Sequence, residues 1–266
     1  MISGAMYADV SVFLGSLAMT QPRILAACAM LPIFNRQVMP GMIRYGVAAA
    51  MGLVLVPVVM PQYAQIQPDA VEFAVLIGKE AFIGLLLGFM FVIPFWVFEA
   101  IGFLIDNQRG ASIGATINPL TGNDTSPLGI LLNQAFIVFF MAVGGFTLML
   151  SILYDSFRVW DIWTFFPSLH AEHGPLLLDQ ISRMLRLTLL LAAPVVITMF
   201  LAELGLGLIS RFTPQLQVFF LAMPIKSALA MLVLIVYAVT LFDYAIDMIE
   251  EARDIIPFLD GQWRSP

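Results

Sequence analysis

Six long apolar stretches constrain this chain more than any other feature. They run at about Val10–Phe34, Ile43–Met60, Phe73–Ile105, Gly129–Leu153, Leu187–Ile209 and Leu216–Phe242. A helix needs about 20 mostly apolar residues to cross the hydrocarbon core of a bilayer, and each stretch is near that length or beyond it. Composition agrees, with 61% hydrophobic residues, 11% charged residues and a mean hydropathy of +0.94. A soluble domain carries about a quarter of its residues as charges to cover its surface. Here 12 basic and 18 acidic side chains serve 266 residues. The chain is therefore predicted to be an all-α, membrane-type protein of long kinked helices and hairpins. A net charge of −6 gives no basic stripe for nucleic acid. The single cysteine, Cys28, excludes an internal disulfide and any multi-cysteine metal site. Residues 1–9 carry no Lys or Arg, so no cleaved signal peptide is expected and the first apolar run is predicted to stay in the protein.

The runs are not uniform. Phe73–Ile105 is too long for one simple span, and reads either as one tilted helix or as two helices joined near Pro94. Thr20-Gln21-Pro22-Arg23 interrupts the first run and predicts a bend or hairpin tip. Loops are expected at Asn35–Met42, Pro61–Asp69, Gln108–Ser126 and Tyr154–Asp179. From about residue 243 to 266 the tail is acidic and amphipathic, with Asp243, Asp247, Glu250, Glu251 and Asp254. One helical domain over residues 1–266 is expected. Arginines do not fix its orientation. Arg36 and Arg44 favour a cytoplasmic first loop, but Arg158, Arg183 and Arg186 then oppose Arg109 and Arg211. Hairpins that do not fully cross, or burial inside a larger assembly, would blur the signal in this way.

Several polar residues lie inside the apolar runs: Lys79, Glu80, Glu99, Asn133, Gln134, Glu203 and Lys226. A charge at the centre of a spanning helix costs roughly 2.5–3.5 kcal/mol on insertion scales. Lys79 and Glu80 are expected near helix ends or paired inside the protein. Glu99, Glu203 and Lys226 lie deeper and are expected to face protein or a pore, with Lys226 and Glu203 paired across neighbouring helices. Small residues recur at helix-packing intervals, as at Gly84 and Gly88, Gly110 and Gly114, Gly144-Gly145, and Gly205 and Gly207. Enzyme motifs are absent: there is no His-Glu-x-x-His, no Gly-x-Ser-x-Gly and no phosphate-binding Gly-Lys loop. His170 and His173 stand three apart in a polar segment, a pair that is more often solvated than metal-bound. No catalytic residue, metal or cofactor is expected.

Two segments carry a resemblance. One reads Glu203-Leu-Gly-Leu-Gly-Leu-Ile-Ser-Arg211-Phe-Thr-Pro214-Gln215-Leu-Gln217-Val-Phe219, followed by Met223-Pro224-Ile-Lys226. The other is Glu99-Ala-Ile-Gly102 with Gln108-Arg109-Gly110 and Asn118-Pro119. Taken together in this order they resemble the FliR/SctT family, which supplies the T subunit of the export gate in bacterial type III secretion systems. The resemblance covers most of the chain. Gln217, and the segments Arg109–Ile113, Asn118–Gly122 and Ser126–Gly129, are more similar to the injectisome branch than to the flagellar one.

The resemblance implies a non-catalytic subunit that forms and gates a channel for unfolded proteins. It implies partners as well: the R and S subunits, with which it packs into a helical hetero-oligomer, and the switch (U) subunit. It further implies the bacterial inner membrane, within the base of the secretion machine, as its location. The pore plug of relatives corresponds to about Arg109–Ser126, with Arg109, Gly110, Ile113, Gly114, Ile117, Asn118 and Pro119. Assembly and helix-breaking roles fall to Glu99, Gly102, Gln108, Glu203, Arg211, Pro214, Gln215, Phe219, Pro224 and Lys226. The alternative from a different class is a stand-alone secondary transporter of a small solute, using Glu99, Glu203 and Lys226 as its site.

Overall fold

The computed structural model describes residues 2–35, 38–110, 126–165, 174–213 and 218–257. All regular structure among them is helical. In chain order the helices are α1 (Ile2–Met30), α2 (Gly41–Leu53), α3 (Val56–Ile66), α4 (Ala70–Arg109), α5 (Pro127–Ala142), α6 (Gly145–Val159), α7 (Gly174–Phe212) and α8 (Val218–Glu251). Short 3-10 turns follow α1 at Pro32–Phe34 and α8 at Ala252–Asp254. Four helices are long and apolar enough to cross a membrane, and two bent pairs raise the number to as many as six. At 1.5 Å per residue the 40-residue α4 is about 60 Å long, twice the hydrocarbon thickness of a bilayer.

Several expectations need correction. No hairpin forms at residues 20–23, because α1 runs straight through Pro22. The polar residues there are used sideways. Thr20 Oγ1 donates to the Gly52 carbonyl at 3.3 Å, and Gln21 Nε2 to the Ala49 carbonyl at 3.4 Å. Neighbouring groups thus hold a helix that a proline would otherwise weaken. Likewise α4 passes Pro94 without a break, which selects the single long helix over two. Residues 61–66 belong to α3, not to a loop. The second apolar run divides instead, into α2 and α3 bent by 69° at Val54–Leu55. The fourth run ends its first helix at Val143 and Gly144, where Gly144 takes φ +82°, a conformation that favours glycine. Tyr154–Val159 and Gly174–Asp179 are helical as well, as parts of α6 and α7.

The chain forms two compact units. The first comprises residues 1–92, 146–173 and 252–266. Within it α1 packs against α2, α3 and the early part of α4. Met19, Val59, Leu76 and Ile162 form a buried cluster, flanked by Tyr63, Phe73, Phe157 and Trp163. Gly84 lets α4 lie directly on α1, since a side chain at this point would strike the carbonyl oxygen of Arg23. Four residues on, a Cβ at Gly88 would stand 2.9 Å from the Ala27 oxygen. The Gly84–Gly88 interval is therefore used inside this chain, as close packing of helices requires.

The second unit comprises residues 93–145 and 174–251. Its centre is aromatic. Phe98 stacks on Phe136 at 4.6 Å and Phe95 meets Phe136 edge-on at 4.7 Å. All three rings are fully buried, each worth about 1.5–3 kcal/mol of apolar transfer. At Gly102 and Gly129 the backbones of α4 and α5 touch with no side chain between them. Helices α7 and α8 pack on one another, and Leu191, Ala192, Val195 and Met199 of α7 and Ala230 of α8 are buried. Their outer faces stay apolar and exposed: Phe200, Leu201, Ile235, Val236 and Val239 are each at least half exposed. Hydroxyls on α7 are satisfied within the helix, Thr188 and Thr198 each donating to a carbonyl four residues back at 2.8 Å. Such surfaces suit lipid or other subunits, not water.

Candidate functional site

Each unit holds a polar cluster inside an otherwise apolar interior. In the first unit the centre is Glu80, which is fully buried. Arg23, also fully buried, meets it as a fork, Nε to Oε2 at 2.7 Å and Nη2 to Oε1 at 3.0 Å. The same guanidinium donates to Ser156 Oγ at 3.1 Å and to the Trp160 carbonyl at 2.9 Å, and lies 4.0 Å from the Phe157 ring centroid. Lys79 approaches Glu80 Oε1 at 3.0 Å. Its ammonium also donates to the carbonyls of Asp161, Ile162 and Thr164 at 3.0, 2.6 and 3.0 Å. These carbonyls belong to the turn that follows α6, and the three donors of an ammonium match them. One carboxylate, two cations and this carbonyl set together satisfy one another. Lys79 and Glu80 are thus paired inside the protein and far from either end of α4, within the expectation. Arg23 was not foreseen as their partner, and the only sign of it in the sequence is a lone arginine inside an apolar run.

In the second unit the polar groups gather where α4 ends and α5 begins. Lys226 of α8 is buried, and its ammonium donates to Glu203 Oε2 of α7 at 3.1 Å and to the Gln108 carbonyl at 2.9 Å. The expected Lys226–Glu203 pair is present, and it also holds a carbonyl from the last turn of α4. Glu99 faces outward on α4 and accepts from Asn133 Nδ2 of α5 at 2.9 Å. Gly102 forms the helix crossing already described. Arg109 pairs with Asp106 at 2.5 Å, and its Nε has no acceptor among the described residues. Gly110 closes α4 with φ +82°. Arg211 is exposed at the end of α7. Helix α8 runs through Pro224 unbroken, so this proline frees a carbonyl without ending the helix. Ile113, Gly114, Ile117, Asn118, Pro119, Pro214 and Gln215, as well as His170 and His173, lie outside the described residues, as does the side chain of Phe219. The Gly205–Gly207 pair has open space around it.

Residues 14–252 match the family described as bacterial export proteins, family 1. The chain belongs to this family. It is 43% identical to "Yop proteins translocation protein T" of Yersinia pestis over 225 residues, 84% of this chain and 86% of that protein. It is 34% identical to "Surface presentation of antigens protein SpaR" of Salmonella typhimurium over 236 residues, 88% of this chain and 86% of the relative. The "Flagellar biosynthetic protein FliR" of Bacillus subtilis is 29% identical over 222 residues, 83% and 85% of the two chains. The resemblance carried by the two motifs is thereby established, and the identities favour the injectisome branch over the flagellar one. As a bacterial export protein the chain is a non-catalytic subunit of a membrane-located export apparatus. The relatives named are secretion and flagellar proteins, and they give no support to a small-solute transporter.

Removing the Lys226 ammonium tests the second cluster. Lys226→Ala leaves the Gln108 carbonyl and the Glu203 carboxylate without their donor. The expected loss is about 1–2 kcal/mol, kept low because Glu203 is half exposed. A double-mutant cycle with Glu203→Ala, read as thermal stability of the detergent-solubilised subunit, should show coupling of about 0.5 kcal/mol or more. Full additivity of the two variants would mean that the pair contributes nothing.

Proposed function

We propose that this bacterial export protein is the T subunit of a type III secretion export gate of the injectisome kind, forming and gating a channel for unfolded proteins. In this reading it packs with the R and S subunits and with the switch (U) subunit in the bacterial inner membrane, inside the base of the machine. The segment Arg109–Ser126 is the pore plug. Ile113 and Ile117 give apolar closure, and Gly110 and Gly114 give the backbone freedom that a closing segment needs. Glu99, Gly102, Gln108, Glu203, Arg211, Pro214, Gln215, Phe219, Pro224 and Lys226 serve assembly.

One observation supports this reading: Gln108 and Ser126, on either side of the segment, belong to a polar, hydrogen-bonded base in a unit whose outer faces are apolar. A plug needs fixed feet, and a subunit buried among others needs apolar flanks. The Glu203–Lys226 pair is closed on itself and on a backbone carbonyl, which leaves little charge free to hold a solute. Mass spectrometry of the gently solubilised complex tests the reading. The subunit should appear with R and S partners. Recovery as a monomer or symmetric homo-oligomer only would overturn it.

A further inference from the structure

Among the described residues, the charges deep inside the apolar runs are neutralised within this chain, with one exception. Arg23 and Lys79 meet Glu80, and Lys226 meets Glu203. Glu99 has no cation beside it. Its one hydrogen bond among the described residues comes from a neutral amide, Asn133 Nδ2 to Oε2 at 2.9 Å. Asn133 Oδ1 is itself buried without a donor among those residues. The amide therefore holds the carboxylate in place but leaves its charge unmatched. Glu99 is exposed, and it lies more than two turns before the end of α4, so no helix terminus offsets the charge. The backbones of α4 and α5 touch at this level: a Cβ at Gly129 would stand 2.9 Å from the Glu99 carbonyl oxygen.

The neighbours of Glu99 decide among water, lipid and protein as its surroundings. Phe103, one turn further along α4, is 45% exposed. On α5 the exposed Gln134 shares a face with Ile130 and Val138, which are 37% and 69% exposed. Water would suit the carboxylate but not these flanks. Lipid would suit the flanks but not the carboxylate, since an acid at membrane depth is costly unless it pairs or reaches water. A helix from another protein satisfies both. Its apolar side chains cover Phe103, Ile130 and Val138, and a polar side chain meets Glu99. That side chain is a cation, because Asn133 already supplies a neutral donor and the charge is what remains.

We propose that Glu99 anchors an interface with another subunit, and that the group meeting it is a lysine or arginine on an apolar helix of that subunit. The proposal rests on the reading of this chain as one subunit of an export gate. The apolar flanks supply contact area, and the carboxylate supplies register and choice of partner.

The test uses the assembled export complex in cells that make all of its subunits. Gln134 is replaced by the photoreactive p-benzoylphenylalanine, and crosslinked peptides are sequenced by mass spectrometry. The expected product is a link to an apolar helix of another subunit, close to a lysine or arginine. In parallel, Glu99→Lys should lower the amount of complex about tenfold or more, because it sets two like charges together at a buried contact. Glu99→Gln should lower it less, since it keeps the shape and an acceptor for Asn133. Changing the partner's cation to Glu in the Glu99→Lys background should restore most of the complex. If the Glu99→Lys subunit is itself lost from the cells, the Gln134 crosslink, made in a chain with Glu99 intact, decides alone. No link to another subunit, a link to a segment without Lys or Arg, or a Glu99→Lys complex at full amount overturns the proposal. Each of these leaves the export-gate reading standing while partner subunits copurify with the wild-type chain. A wild-type chain that copurifies with none removes both.

Discussion

Deleting residues 110–122 should leave the export complex assembled and make it leak ions when idle. The first half of this expectation follows from the geometry of the base. Asp106 holds Arg109 and Ser126 through the same carboxylate, so the two ends of the segment stand close together. After the deletion, Asn123, Asp124 and Thr125 still join Arg109 to Ser126. Four steps of 3.8 Å give them a reach of about 15 Å. The rejoined chain therefore need not pull α4 away from α5, and the Gly102–Gly129 crossing and the Phe95, Phe98 and Phe136 core keep their packing. The second half follows from the chemistry removed. Ile113, Ile117 and Leu120 are the large apolar residues of the segment, and an apolar constriction closes a pore by excluding water. Without it the idle conductance should rise about tenfold or more, read as ion leak across the membrane. Unchanged conductance in a fully assembled complex would remove the plug reading.

Arg23→Ala should be the most destabilising single substitution in the first unit. The guanidinium is fully buried, forks onto Glu80 and holds Ser156 and the Trp160 carbonyl. Its loss leaves Glu80 with Lys79 as its remaining counter-charge, takes the two-point fork from a buried carboxylate and opens a cavity, at an expected cost of about 3 kcal/mol or more. For a chain of this size that corresponds to a fall in Tm of about 10 °C, measurable on the subunit in detergent. Arg23→Lys should not rescue it, because an ammonium cannot reproduce the two-point fork. Replacing both partners, as in Arg23→Met with Glu80→Leu, should recover a large part of the loss, since a buried pair is costly mainly when it is broken on one side. Lys79 keeps its three carbonyl acceptors in that double variant. If Arg23→Ala and the double variant melt at the same temperature, the pair is not what holds this region.

Sequence reasoning reached some of these groups and missed others for a physical reason. Lys226 and Glu203 could be paired in advance because each is a lone charge deep in one of two adjacent apolar runs, where lipid would not tolerate it alone. Asp106 sits in the last turns of α4, beside a polar segment, where an acid looks ordinary and solvated. Only the fold brings Ser126 and Leu128 to it. Arg23 lay in a stretch whose local signals, a proline among polar residues, favour a turn. Tertiary contacts overrode them: Thr20 and Gln21 find their partners on α2, and the arginine finds Glu80, 57 residues away.

By itself the sequence determined that this chain is helical, apolar enough to belong in a membrane and built for partners, since too few charges remain to face water. It also determined the family, through two motifs whose order is as telling as their residues. The tertiary structure decided which helix breaks and which runs on: α1 continues past Pro22 and α4 past Pro94, while α2 and α3 part at Val54–Leu55, where Pro57 in the first turn of α3 has no N–H for the Leu53 carbonyl. It also decided where each buried charge finds its counter-charge. Apolar patterning is a local property that a sequence displays directly. Pairing a buried carboxylate depends on which helices cross, and that is fixed only when small residues such as Gly84 and Gly102 let two backbones touch.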